Sequence, residues 1–254
     1  MSIDELRTLE ILQTAREKGE TVLLETEGFE ILRALGFEIP AQIFVKNSAE
    51  ISSINLSSIE SEKVVIKVVS PEILHKSDVG GVAVIANNPE IFFRTIEQME
   101  TKFADAKVVG FTINQFIEYS PALGNELLLG LRWTEDFGAV VTFGAGGIYT
   151  EFLTKNFKTG KDIAIFSNAL SDDETIENEL SKTAVAELLT QSLRGQKPRL
   201  QLADLSETVK KLLSVADKLA LAGVTDFEIN PLVVCNEKLI ALDVLIKLGE
   251  AQKK

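Results

Sequence analysis

Apolar residues recur every three or four positions in several stretches of the chain, a spacing typical of amphipathic helices. A glycine ends three of these stretches, at Gly19, Gly36 and Gly223, and Ser171 precedes a fourth as its expected N-cap. The pattern predicts helices over residues 3–18, 24–35, 89–103, 172–193 and 205–222.

Runs of β-branched and leucine residues between turn residues predict strands. The runs at 107–118, 126–133 and 139–143 follow one another along the chain and predict an antiparallel meander. Two apolar runs within 227–248 flank Cys235-Asn236-Glu237-Lys238 and predict an antiparallel hairpin. Further strands are predicted at 37–45, 64–69 and 162–169. Helices and strands together predict an α/β (α+β) fold.

Composition narrows the class of protein. The 254 residues are 45% hydrophobic, so the chain is long and apolar enough for a large core divided between one or two lobes. The formal net charge of −12 opposes binding to a phosphate backbone, and we expect no nucleic-acid partner. A nucleotide site is still compatible with this charge, because lysines and a divalent cation invert the field inside a cleft.

The chain starts MSIDELRTLE, without the basic and apolar regions of a signal peptide, and no apolar run approaches the span of a bilayer. The lone Cys235 excludes an internal disulfide and agrees with a reducing compartment. We expect a cytoplasmic protein without a membrane partner.

The stretch VVIKVVSPEILHKSDVGGVAVIA, at 64–86, combines a β-branched run containing Lys67 with a loop closed by Gly80-Gly81. Lysine supplies a point charge, and glycine lets backbone N–H groups approach an oxyanion, so the stretch is a candidate phosphate-handling unit. Its loop contains His75, the only histidine in the chain. The pattern alone also fits an edge-strand lysine that reaches solvent and a histidine that merely packs in a loop.

The hairpin is a candidate metal site. A turn centred between Asn236 and Glu237 places Asn230 opposite Asp243, and Glu228 projects to the same face as Asn230. Two carboxylates and a carboxamide supply the oxygen ligands that suit Mg²⁺. The alternative interpretation is that Asn230-Pro231 ends a strand and Asp243 is a solvated residue.

Three stretches in the same order resemble the nucleotide-binding subunit of ADP-forming acyl-CoA synthetases, a branch of the ATP-grasp proteins related to the β-subunit of succinyl-CoA synthetase. They are VIKVVSPEILHKSDVGGV at 65–82, GNELLLGLRWTEDFGAVVTFGAGG at 124–147, and EINPLVV with ALDVLI within 228–246. The HK-x-DVGG loop together with EINPL is fairly specific for this family.

The resemblance implies an ATP-grasp fold of two α/β lobes with the nucleotide bound between them. We expect an N-terminal helical extension over 1–20, a small lobe over 21–110 and a large lobe over 111–254. The implied reaction converts an acyl-CoA, ADP and phosphate into the carboxylate, CoA and ATP, with Mg²⁺. It also implies a hetero-oligomer with a CoA-binding α-subunit that forms the acyl phosphate and carries its own phosphohistidine.

The resemblance also assigns roles to single residues. His75 matches the histidine that relays the phosphoryl group, and a neutral imidazole on a mobile, glycine-hinged loop is chemically competent for that role. The other implied contacts are Lys67, Gly80 and Gly81 to nucleotide phosphates, the backbone of Gln115 to Ile117 to adenine, Glu118 and Glu126 near the ribose and base, and Asn230 and Asp243 to Mg²⁺.

One position departs from the family pattern. Phe166 stands at or near a family arginine, which removes a potential phosphate contact unless Lys158 or Lys161 compensates. Two other functions therefore remain open. A stand-alone ATP-grasp ligase that activates a carboxylate would not need His75, and a nucleotide-sensing subunit would bind nucleotide without turnover.

Overall fold

The structure is a computed structural model that describes residues 3–120, 122–147, 150, 155–156, 160–192, 195 and 197–250. The chain divides into two compact units, and each is described by itself. The small unit comprises Leu24–Glu27 and Pro40–Glu118, and the large unit comprises Met1–Leu23, Gly28–Ile39 and Tyr119–Lys254.

The described residues form helices and strands that alternate along much of the chain. The helices are α1 (Glu5–Glu17), α2 (Glu25–Ala34), α3 (Pro89–Lys102), α4 (Asp173–Lys182), α5 (Ala184–Thr190), α6 (Leu202–Leu213) and α7 (Ala216–Leu221). The strands are β1 (Gln42–Val45), β2 (Lys63–Val69), β3 (Val82–Ala86), β4 (Gly110–Gln115), β5 (Glu126–Thr134), β6 (Gly138–Ala145), β7 (Ile163–Phe166), β8 (Val224–Cys235), β9 (Lys238–Ala241) and β10 (Val244–Leu248). Short 3-10 helices lie at Ser48–Ser53 and Leu56–Ser58.

The small unit is built on an antiparallel sheet with the strand order β1-β4-β2-β3. Side chains alternate between the two faces of β2, so Val64, Ile66 and Val68 enter one apolar core with α3. Lys67 lies on the opposite face of the strand. The sheet therefore separates an apolar layer from a face that carries a buried cation.

The large unit contains a second antiparallel sheet, in the order β10-β8-β5-β6-β7, with β9 also paired to β8. Its core includes residues of α1, α2 and the helices from α4 to α7. Ile11, Leu12 and Ala15 of α1 are buried in this core. The N-terminal helix is thus packed into the large unit through the apolar stripe that predicts it.

The C-terminal hairpin has the predicted register. Cys235 pairs with Lys238 across the turn, and Asn236 and Glu237 both adopt positive φ, as a two-residue hairpin turn of the I′ type requires. Beyond it, Leu232 lies opposite Ala241 and Ile229 opposite Val244. The prediction for the hairpin is therefore confirmed.

Two predicted helices are each divided in the structure. The stretch 172–193 contains α4 and α5, because the buried Thr183 ends the first and caps the second by accepting the Ala186 N–H at 3.3 Å. The N-cap of α4 is Asp172 rather than Ser171. The stretch 205–222 likewise divides into α6 and α7, on either side of Ser214 and Val215.

The predicted meander is wrong, because β4 belongs to the sheet of the small unit whereas β5 and β6 pair in the large unit. Alternation identifies a strand but not its partner. The unit boundaries also differ from the expected lobes. The small unit includes β4 and continues to Glu118, beyond the expected boundary at residue 110, and Gly28–Ile39 groups with the large unit. Among the described residues, no helix is both long and apolar enough to span a membrane.

Candidate functional site

Lys67 lies on a polar face of the small-unit sheet. It pairs with Thr112 across β2 and β4, and both side chains are buried. The neighbouring Asn114 is also buried, and its Nδ2 donates to Thr112 Oγ1 at 3.0 Å and to the Val65 carbonyl at 3.2 Å. The predicted phosphate-binding lysine therefore belongs to a built polar cluster and is not an edge residue that reaches solvent.

The partner of Lys67 is Glu25, the first residue of α2. Glu25 Oε1 accepts a hydrogen bond from Lys67 Nζ at 2.6 Å, and Glu25 Oε2 lies 3.2 Å from Lys76 Nζ. Sequence reasoning missed both Glu25 and Lys76. Lys76 was visible as the residue after His75, but Glu25 lies 42 positions before Lys67 and no local pattern connects them.

The loop between β2 and β3 places His75 at the surface with an exposed side chain. Gly80 has φ of +66°, and its N–H donates to the Ser77 carbonyl at 3.1 Å. A Cβ on Gly81 would lie 2.6 Å from Val68 Cγ1, so this position has no room for a side chain. The two glycines thus close a compact turn against β2, and the N–H groups of both donate to backbone carbonyls of the same loop.

The segment expected to contact adenine follows β4. Gln115 is the last residue of that strand, and its N–H donates to the Ala41 carbonyl at 2.8 Å. Ile117 is half-buried and Glu118 is exposed. These residues end the small unit, whereas Glu126 begins β5 in the large unit.

Glu126 is oriented by an aromatic hydroxyl. Tyr119 Oη donates to Glu126 Oε1 at 2.6 Å, and burial together with this carboxylate raises the pKa of the Tyr119 phenol. Gly147 lies against the Glu126 carboxylate at a position with φ of +64°. The carboxylate expected to contact the ribose or base is therefore held by the Tyr119 hydroxyl, and a side chain at position 147 would collide with it.

We expect Tyr119→Phe to lower the free energy of unfolding by about 1 kcal/mol, the scale of one net hydrogen bond. The raised pKa keeps the phenol protonated in the folded chain, so its stabilisation is complete below about pH 10 and is lost as the pH rises further. Urea unfolding of both proteins at pH 8 and pH 11 measures this. The difference between them should shrink at the higher pH, and a constant or growing difference would contradict the assignment.

The three candidate metal ligands lie together on the hairpin of the large unit. Asn230 Nδ2 donates to Glu228 Oε1 at 3.1 Å, and Asn230 Oδ1 accepts the Gly147 N–H at 2.8 Å. These contacts fix the orientation of the carboxamide. Leu242 N–H donates to the Pro231 carbonyl at 3.0 Å, which keeps Asp243 in register opposite Asn230.

The chemistry of this donor set fits Mg²⁺. Asp243 Oδ1 accepts the Val244 N–H at 2.9 Å, and all three side chains offer oxygen atoms at half-buried positions. In the part of the chain that the structure describes, no group of three or more His, Cys, Asp and Glu side chains could hold a metal ion. Mg²⁺ does not need such a group, because one or two carboxylates suffice when water and phosphate complete its octahedron.

Phe166 is 1% exposed at the end of β7 and packs in the core of the large unit. The position at or near the family arginine is therefore filled by an apolar side chain of the core. Of the two lysines considered as compensation, Lys161 is exposed, and Lys158 lies outside the described residues.

A sequence model described as the ATP-grasp domain matches residues 14–248. The chain belongs to the ATP-grasp family. The predicted ATP-grasp fold is thereby confirmed. Strand β2 with Lys67, the turn at Gly80 and Gly81, and the C-terminal hairpin all lie within the matched residues.

Relatives of this ATP-grasp chain include ADP-forming ligases. It is 30% identical over 238 residues to the beta subunit of acetate–CoA ligase (ADP-forming) I from Pyrococcus furiosus. This alignment covers 92% of this chain and 94% of that protein. It is 29% identical over 255 residues to acetate–CoA ligase (ADP-forming) I from Archaeoglobus fulgidus, covering 98% of this chain. The chain spans 34% of that second relative's length.

A solved structure shares the fold. The dinucleotide forming acetyl-coenzyme A synthetase 1 from Ca. Korarchaeum cryptofilum matches 95% of this ATP-grasp chain and 100% of its own, with a TM-score of 0.71 and 24% identity. That structure is a complex with coenzyme A and Mg-AMPPCP, with its phosphohistidine segment pointing towards the nucleotide binding site.

Proposed function

We propose that this chain is the nucleotide-binding β-subunit of an ADP-forming acyl-CoA synthetase. With a CoA-binding partner it would convert an acyl-CoA, ADP and phosphate into the carboxylate, CoA and ATP. The observation that supports this most directly is the exposed position of His75, the only histidine of the chain, on the loop that follows Lys67. The resemblance to the beta subunit from P. furiosus over nearly its whole length supports the same assignment.

In this proposal the small unit handles the phosphoryl group. Lys67 supplies positive charge to nucleotide phosphates, and Gly80 and Gly81 supply the backbone of the phosphate turn. The neutral His75 imidazole attacks the phosphorus of the partner's phosphohistidine, so that one P–N bond forms while the other breaks. A β-phosphate oxygen of ADP then attacks the same phosphorus and releases His75, giving ATP.

The large unit contributes the metal ligands and part of the nucleotide site. Asn230 and Asp243, with Glu228 beside them, would hold Mg²⁺, which neutralises phosphate charge during in-line transfer when bound. Glu126 would contact the ribose or base. Glu118 and the backbone of Gln115 to Ile117 would contact the nucleoside.

The remaining parts of the proposal concern the assembly. The proposal requires a partner that binds CoA and forms the acyl phosphate, because the residues assigned to this chain would handle only the nucleotide, Mg²⁺ and the phosphoryl group. The protein would act as a hetero-oligomer in the cytoplasm. The partner's own histidine would carry the phosphoryl group to His75.

The experiment is to tag the chain in its native host, purify its complex and identify the associated subunit by mass spectrometry. We expect a CoA-binding partner and ATP formation that requires acetyl-CoA or another acyl-CoA, ADP and phosphate together. The chain without its partner is the control and should form no ATP. A complex without such a subunit, or ATP-dependent carboxylate ligation by the chain alone, would contradict the proposal.

A further inference from the structure

The carboxylate of Glu25 lies between two lysine ammonium groups of the small unit. Its oxygens are 2.6 Å from Lys67 Nζ and 3.2 Å from Lys76 Nζ. The Glu25 side chain is 1% exposed, and the lysine side chains are 10% and 11% exposed. The carboxylate and the two ammonium groups are all largely buried and compensate one another's charge, so the two ion pairs hold these three side chains together.

The lysine pair joins the phosphate strand to the histidine loop. Lys67 belongs to β2, whereas Lys76 directly follows His75. The Lys76 carbonyl also accepts the Gly81 N–H at 2.6 Å, and the Gly81 carbonyl accepts the Val68 N–H at 2.9 Å. The residue after His75 is therefore held to β2 through its backbone and, by way of Glu25, through its side chain.

This arrangement changes the expected hinge of the loop. The N–H groups of Gly80 and Gly81 donate within the closed turn, and Gly81 is buried against Val68, so these hydrogen bonds must open before the glycines can act as a hinge. The exposed imidazole instead projects beside an anchored Lys76. The position from which His75 accepts and donates a phosphoryl group is thus limited by the Glu25–Lys76 ion pair.

We infer that Glu25 is a positioning residue for phosphoryl transfer, which orients Lys67 directly and His75 through Lys76. The inference rests on the proposed function of His75. In this inference Glu25 acts through Lys67 and Lys76 and not by contact with the nucleotide. Removal of its charge should therefore slow transfer without weakening nucleotide binding, because the positive charge of Lys67 is retained.

The test uses the full chain and two variants. Glu25→Gln keeps the shape of the side chain but removes its charge, and Lys76→Met keeps the apolar stem but removes the ammonium. Glu100→Gln is the matched control, because the Glu100 carboxylate accepts hydrogen bonds from Ser48 in the same unit and contacts neither lysine in the hydrogen bonds that the structure describes.

His75 is the only histidine, so its imidazole gives a single, unambiguous set of NMR signals. We expect both variants to change the His75 chemical shift and to increase its picosecond-to-nanosecond mobility, while Glu100→Gln leaves both unchanged. In the reconstituted complex, the rate of ³²P transfer from His75 to ADP should fall about tenfold to a hundredfold, the scale of a small misplacement of reacting groups. The Kd for Mg-ADP should stay within about threefold, since both variants retain the Lys67 ammonium.

The two variants should not be additive, because they open the same ion pair. Additive losses, an unchanged transfer rate, or an equal loss of Mg-ADP affinity would each overturn the role of Glu25. If Glu25→Gln does not fold, Lys76→Met alone decides through the same three measurements. If the wild-type complex never labels His75, the proposed function fails, and the inference fails with it.

Discussion

His75→Ala is expected to lower phosphate-dependent ATP formation from acyl-CoA by about a thousandfold or more, the scale seen when a catalytic nucleophile is removed. Alanine cannot form the P–N bond through which the phosphoryl group reaches ADP. The side chain is exposed, so the substitution should leave the free energy of unfolding unchanged within about 0.5 kcal/mol. The measurement is the rate of ATP formation by the complex under saturating substrates.

Two controls separate loss of the nucleophile from damage to the loop. Ser77→Ala changes another exposed side chain of the same turn, whose carbonyl still accepts the Gly80 N–H. It should retain most of the activity. In addition, His75→Ala should bind Mg-ADP with unchanged affinity and should lose the acid-labile ³²P label on this subunit.

Each alternative function predicts a different result for His75→Ala. A stand-alone carboxylate ligase keeps its turnover, because its chemistry proceeds through an acyl phosphate alone. A nucleotide-sensing subunit shows no turnover before or after the substitution. Retained ATP formation by the alanine variant would remove the relay from the mechanism.

Local patterns were sufficient for the C-terminal hairpin. Its register follows from one turn, since the spacing of side chains along a strand is fixed once Asn236 and Glu237 are placed. The same counting brought Asn230 opposite Asp243, and the structure keeps that pairing. The sequence thus predicted a candidate metal site from two strands that are close in the chain.

Contacts between distant segments were not predictable in this way. The alternation over β4 identified a strand but not its pairing with β1 and β2. Glu25 was equally hidden, because an acidic residue in the first turn of a helix already has a local explanation in the helix dipole. Only the fold shows that this carboxylate reaches Lys67 and Lys76.

The divided helices show a third limit. The apolar stripe of 172–193 continues through Thr183, because α4 and α5 bury side chains in the same core. A threonine in a helical stripe is compatible with an uninterrupted helix as well as with a cap. Its hydroxyl hydrogen bonds decide between the two, and these depend on local backbone geometry that hydrophobic spacing does not specify.

Asp243→Asn is expected to raise the Mg²⁺ concentration for half-maximal activity by about tenfold or more. Even mutation of the hydrogen-bond partners of metal ligands typically lowers metal affinity by about tenfold to a hundredfold. The substitution retains the oxygen that accepts the Val244 N–H but removes the negative charge that attracts a hard cation. Asn230→Ala should act in the same direction, because it removes a neutral oxygen ligand. Titrations of activity and of Mg-ADP binding against Mg²⁺ measure both effects.

Asp226→Asn provides the matched control for these variants. Asp226 lies on β8, two positions before Glu228, but its carboxylate pairs with Arg132 at 2.9 Å. The same loss of charge at this position of β8 should therefore leave the Mg²⁺ dependence unchanged. If all three variants keep the wild-type dependence, the hairpin holds no metal, and the Asn230–Glu228 hydrogen bond is a structural feature of the strand. A shift in Asp243→Asn and Asn230→Ala but not in Asp226→Asn places the requirement for Mg²⁺ on the hairpin itself, because general loss of surface charge is then excluded.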